Sequence, residues 1–77
     1  MKVFKKEKMM ARLNAQGRAN EIDADSREIM DNLDGREVKR NLWRETVYGE
    51  ANSWYCTDAD GIQYPVNIDD CEEVKEA

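Results

Sequence analysis

Apolar residues keep one spacing up to residue 35 and another after it. Met9, Met10 and Leu13 stand three and four positions apart, as do Ile29, Met30 and Leu33, and each set makes one stripe along a helix. The first stripe predicts a helix over 5–16, basic on its outer face and stopped by Gly17. The second predicts a helix over 26–33, ended by Asp34-Gly35. Asp25 with Glu28 three positions on has the form of a capping box, flanked by Ala24 and Ile29 where a hydrophobic staple would sit. Residues 1–4 read as a short strand or an unordered start.

Beyond Gly35 the period shortens to that of strands. Strand-length runs are expected at 36–39, 42–48, 53–57, 62–66 and 72–74, parted by turn-forming residues that include 49–52. Alternation sets Trp43 and Val47 on one face of the second run, and Ile62, Tyr64 and Val66 on one face of the fourth. Asp58-Ala59-Asp60-Gly61 lies between two β-prone runs, which is a hairpin signal. Pro65 has no N–H to give a ladder, so the fourth strand must end there or lie at an edge. Residues 67–71 read as a single helical turn. The expected fold is therefore α+β: two short N-terminal helices followed by a small antiparallel sheet or SH3-like barrel of three to five strands. The polar link 17–24 is too short to part domains, so 1–77 reads as one domain, helical over 1–34 and antiparallel β over 35–75.

Length limits what these elements can bury. A 77-residue chain hides only about 60% of the surface its unfolded form exposes, so both helical stripes are needed for the core. With 38% charged residues most positions face water, and the C-terminus is expected to fray. Charge is unevenly spread. Residues 1–20 hold six basic side chains and one acidic, a net +5, whereas 21–77 hold six basic and sixteen acidic, a net −10. Such polarity implies a solvated or self-complementary surface before it implies a binding polarity. No secretory leader and no apolar run of membrane-spanning length is apparent, so a cytoplasmic location with reduced thiols is expected.

The chain has no histidine, which removes Ser-His-Asp and Cys-His catalysis and histidine metal sites. Cys56 and Cys71, fifteen positions apart, cannot by themselves make a four-ligand zinc site and read as small core residues. Placing Gly61 sixth in a calcium loop puts Cys56 first and Asn67 twelfth, where an Asp and a Glu are needed, so the turn reading prevails. No catalytic residue, metal ligand or cofactor is expected. Nucleic acid is an unfavoured direct partner, because residues 45–77 carry nine acidic side chains against Lys75 alone.

Asp60-Gly61, Tyr64-Pro65-Val66 and Asp70-Cys71-Glu72-Glu73-Val74, preceded by Leu33-Asp34-Gly35, resemble the C-terminal halves of small accessory proteins of Gram-positive phages and prophages. The resemblance implies a setting, the host cell, in which short acidic domains bind and inhibit host defence proteins as anti-CRISPR proteins do. It carries no catalytic residue. The leading expectation is thus a non-enzymatic inhibitor of a host defence or nucleic-acid-handling protein, an RNA-guided nuclease being one such partner. Asp58, Asp60, Asp69, Asp70, Glu72 and Glu73 would act as phosphate mimics, with Tyr48 and Tyr55 as exposed anchors. The alternatives are a small-barrel adaptor for a peptide or nucleic acid, and a phage structural or assembly component.

Overall fold

The computed structural model describes residues 1–50 and 52–75. Strand β1 (Lys2–Phe4) leads into helices α1 (Lys6–Ala15) and α2 (Ala24–Leu33). Strand β2 (Val38–Arg40), helix α3 (Leu42–Tyr48), strands β3 (Trp54–Thr57) and β4 (Gln63–Pro65), a 3-10 turn (Ile68–Asp70) and strand β5 (Cys71–Glu73) follow. The fold is α+β with two small antiparallel sheets, β1-β5 and β2-β3-β4.

The two predicted helices form where the apolar stripes place them. Leu13, Met30 and Leu33 are buried, while Met9, Met10 and Ile29 pack partly covered against the core. The cap of α2 differs from expectation. Asp23, not Asp25, accepts the Ser26 N–H at 2.7 Å, so the helix begins two residues earlier and Asp25 falls in its first turn. Helix α1 has no cap of its own, and its first N–H is taken by Asp34 Oδ1 at 2.9 Å, a carboxylate from the end of α2. One helix thereby closes the open end of the other.

Phe4, only 2% exposed, sits at the junction of the sheets. Its strand pairs with β5, Phe4 opposite Cys71, and also meets the approach to β2 through the bridge Val3–Glu37 and the Phe4 N–H to Arg36 C=O bond of 3.0 Å. The core around it is Met30, Leu33, Val38, Cys56, Val66 and Cys71. In the β3-β4 hairpin Cys56 stands opposite Tyr64, and Asp58 Oδ1 accepts the N–H groups of Asp60 and Ile62, both at 2.9 Å. Gly61 supplies the positive φ of 84° that the turn requires. Pro65 ends β4, which is an edge strand, as its missing N–H demands.

The strand predicted over 42–48 is a helix instead. Asn41 Oδ1 accepts the Arg44 N–H at 3.2 Å, and Gly49 takes the left-handed conformation, φ 66°, at the other end. With both ends capped, seven residues complete two turns, and the Trp43–Val47 spacing that mimics alternation is equally an i, i+4 helical pair. The expected strand at 1–4 forms, and the helical turn at 67–71 appears as the 3-10 turn. The remaining strands differ from expectation by at most two residues at either end. The fraying expected at the C-terminus, and Ala51 of the turn expected at 49–52, lie outside the described residues.

Candidate functional site

Six carboxylates were the expected binding surface, and the fold distributes them between different duties. Asp70 is buried, 1% exposed, and its two oxygens receive Arg12 Nε at 2.8 Å and Arg12 Nη2 at 2.9 Å. That bidentate bond, more than any other influence, holds the Arg12 guanidinium above its usual pKa. Asp70 therefore ties α1 to the start of β5 and is not a surface charge. Asp58 closes the hairpin turn. Glu73 accepts from the N-terminal ammonium at 2.9 Å and pairs with Lys2 at 3.5 Å. The bond from the ammonium holds its carboxyl below the ordinary range. Asp60, Asp69 and Glu72 are exposed and have no side-chain ion pair among the described residues, but they stand on three elements: the hairpin tip, the 3-10 turn and β5.

The basic N-terminal segment is spent in the same way. Lys6 pairs with Asp31, Lys8 Nζ donates to the Cys71 carbonyl at 2.8 Å, Arg12 binds Asp70, and Arg18 Nε donates to Glu21 at 3.0 Å. The polarity visible in the sequence is largely self-complementary packing of a basic helix against an acidic body.

Helix α3 stands apart from this pattern, for none of its residues is buried. Leu42, Trp43, Val47 and Tyr48 are 61%, 60%, 54% and 63% exposed. Trp43 and Tyr48 meet edge to face with ring centroids 5.3 Å apart, and the Arg44 guanidinium lies 6.0 Å from the Tyr48 ring. The charges beside these rings are already paired: Arg40 Nε with Glu45 at 2.8 Å, and Arg44 with Glu50 through bonds of 3.0 and 2.8 Å. The Glu50 carboxyl is held low, and the Arg44 guanidinium high, chiefly by that mutual hydrogen bond. Of the two expected anchors Tyr48 belongs to this helix, whereas Tyr55 is half-buried in β3 opposite Lys39 and Pro65. Leu42 and Val47 were not foreseen as surface residues. The cap pair Asn41 and Gly49 is the signal that would have turned the run into a helix, and its apolar residues, interleaved with Arg44, Glu45 and Thr46 around the axis, give it no single face to bury.

Two concavities flank the sheet. A groove of about 570 Å³ between α1, α2 and β4 is lined by Met9, Ile22, Ile29 and Tyr64 among others, with Arg12 and Asp70 also in its wall. A polar cleft of about 410 Å³ lies between α3 and the hairpin, lined by Asn41, Arg44, Tyr55 and Gln63 among others. Cys56 and Cys71 are buried free thiols, both pushed up in pKa by burial, so they carry little thiolate near neutrality. Among the described residues no group of three or more His, Cys, Asp or Glu side chains is arranged to hold a metal, and no helix is long and apolar enough to cross a membrane. Comparison with protein-family models, curated proteins and solved structures gives no match.

Proposed function

We propose that this protein is a non-enzymatic protein-binding module whose contact surface is the outer face of α3. In the phage setting implied by the C-terminal signature it would act as an inhibitor of a host protein. One observation carries the reading: four large apolar side chains, each more than half exposed, crowd a seven-residue helix that contributes nothing to the core. Trp43 and Val47, four positions apart, share one side of the helix with Tyr48 held against Trp43, and an exposed apolar cluster of this kind commonly marks an interface. Trp and Tyr are the residues in which binding energy concentrates, and the Trp43–Tyr48 contact orders both before any partner arrives.

The bridge between β1 and the approach to β2 lines the strands up as β5-β1-β2-β3-β4, with a 3-10 turn before β5. That connectivity supports an SH3-like small barrel in which α1 and α2 fill the first connection and α3 the second. Contact through α3 replaces phosphate mimicry as the leading mode, since Asp70 is internal and Asp58 and Glu73 are committed within the fold.

Capture from host lysate, read by mass spectrometry, tests the proposal. Proteins held by the unaltered chain should be lost with Trp43→Glu and kept with Asp60→Lys, Asp69→Lys and Glu72→Lys combined. Loss with the charge reversals and retention with Trp43→Glu would return the acidic face to the lead.

A further inference from the structure

Strand β4 has a hydrogen-bonded neighbour on one side only. We propose that its open edge receives a short extended segment of a partner protein, basic at both ends, which adds to the sheet as a further antiparallel strand. Neither this occupant nor its test involves α3.

Register decides which backbone groups are left over. The Asp58 N–H donates to the Ile62 C=O at 3.0 Å, and the Val66 N–H to the Trp54 C=O at 3.1 Å. Bonded pairs alternate along an antiparallel ladder, so the pair midway between these two, Cys56 with Tyr64, is bonded as well. Gln63 and Pro65 therefore turn their backbone groups away from β3. The N–H and C=O of Gln63 and the C=O of Pro65 meet no hydrogen-bond partner among the described residues, and both residues are exposed. One donor between two acceptors along a straight edge is the complement of an extended peptide backbone.

Charge and the proline select the occupant. Asp60 stands before β4 at the hairpin tip and Asp69 after it in the 3-10 turn, both exposed and without a side-chain ion pair among the described residues. A segment with Lys or Arg at its ends sets a cation toward each. A second copy fits poorly. Two β4 edges laid antiparallel put Gln63 against Pro65, where the missing N–H removes one bond of each pair, and they draw Asp60 of one copy toward Asp69 of the other. The polar cleft adjoins the same edge, because Gln63 and Pro65 line it together with Tyr55, Asn41 and Arg44. Residues that pair with Gln63 and Pro65 hold their side chains on that same face, so polar ones such as Thr suit those two places.

Three backbone bonds hold such a segment weakly, with a dissociation constant of roughly 0.1–1 mM, so binding is read in solution and not by capture from lysate. The probe is a blocked peptide, Lys-Val-Thr-Val-Thr-Val-Lys, titrated into the isotopically labelled full chain and followed by amide NMR shifts. The Gln63 amide should move downfield and become protected from exchange, while the Trp43 amide stays in place. Trp43→Glu should leave the constant unchanged, so failure here and failure of docking through α3 are told apart. N-methylation of the two Thr nitrogens, which face β4 in this register, should abolish binding, and N-methylation of the Val nitrogens should not. Asp60→Asn with Asp69→Asn should weaken binding about fivefold at low salt. A Gln63 amide that does not respond to several millimolar peptide overturns the proposal, as does a Thr-methylated peptide that binds as well as its parent. An unchanged constant in the double Asn variant overturns it too, and so does a Gln63 shift that grows with the concentration of the chain alone, which would make a second copy the occupant.

Discussion

Arg12 and Asp70 lie 58 positions apart and make the most consequential polar contact in the molecule. Asp70 is almost wholly enclosed, so removing Arg12 strands a carboxylate inside. Arg12→Ala should cost about 3–5 kcal/mol in chemical denaturation, and Asp70→Lys should prevent folding. A loss below ~1 kcal/mol for Arg12→Ala would mean that the carboxylate reaches water. Asp23 and Glu73 give a second handle. Each is held below the ordinary carboxylate range, the first by the Ser26 backbone N–H and the second by the N-terminal ammonium. The unfolded chain therefore binds more protons, and the stabilisation is present above about pH 4 and is lost as pH falls through the folded values. Melting temperature should decline below about pH 4, and less steeply in the double variant Asp23→Asn, Glu73→Gln. Sequence shows that Asp69 and Asp70 both carry charge. Their opposite fates, one exposed and one buried, depend on Arg12 arriving from another helix, which no local pattern records.

At the scale of elements, the parts that follow from short-range chemistry were legible and the part decided by competition was not. Met9, Leu13, Ile29, Met30 and Leu33 announce two helices, and Asp58 with Gly61 announces the hairpin, because side-chain spacing and one positive φ suffice. Leu33 is 3% exposed, and Leu33→Ala should cost about 2–5 kcal/mol, read from the shift in denaturant midpoint at unchanged slope. Run 42–48 suits either period, and the ends decide. Asn41→Ala should destabilise α3 by about 1 kcal/mol and loosen the Trp43–Tyr48 contact, visible as a changed near-ultraviolet dichroism of the rings. An unchanged signal would show that packing, not the cap, holds the helix.

For the whole molecule, the basic start and acidic body visible in the sequence describe folding more than recognition. Lys2, Lys6, Arg12 and the N-terminus each meet a carboxylate of another element, so the polarity is mostly consumed when the chain closes. Of the six large apolar side chains left exposed among the described residues, four sit on α3. The architecture could be anticipated from pattern, whereas the candidate site could not, because which apolar residues a small core leaves outside is settled only when all elements have packed. Both views of the site differ in their response to salt: phosphate mimicry is screened as the Debye length falls, and apolar docking is not. The most direct test is the dissociation constant for a protein captured from lysate by the unaltered chain, measured at about 0.05 and 0.5 M salt with that chain and with Trp43→Glu. Docking through α3 is expected to give constants within about threefold of each other at the two salts and a loss of at least a hundredfold on Trp43→Glu, the scale of an interface anchor. A steep weakening with salt, together with undiminished binding by Trp43→Glu, would contradict it.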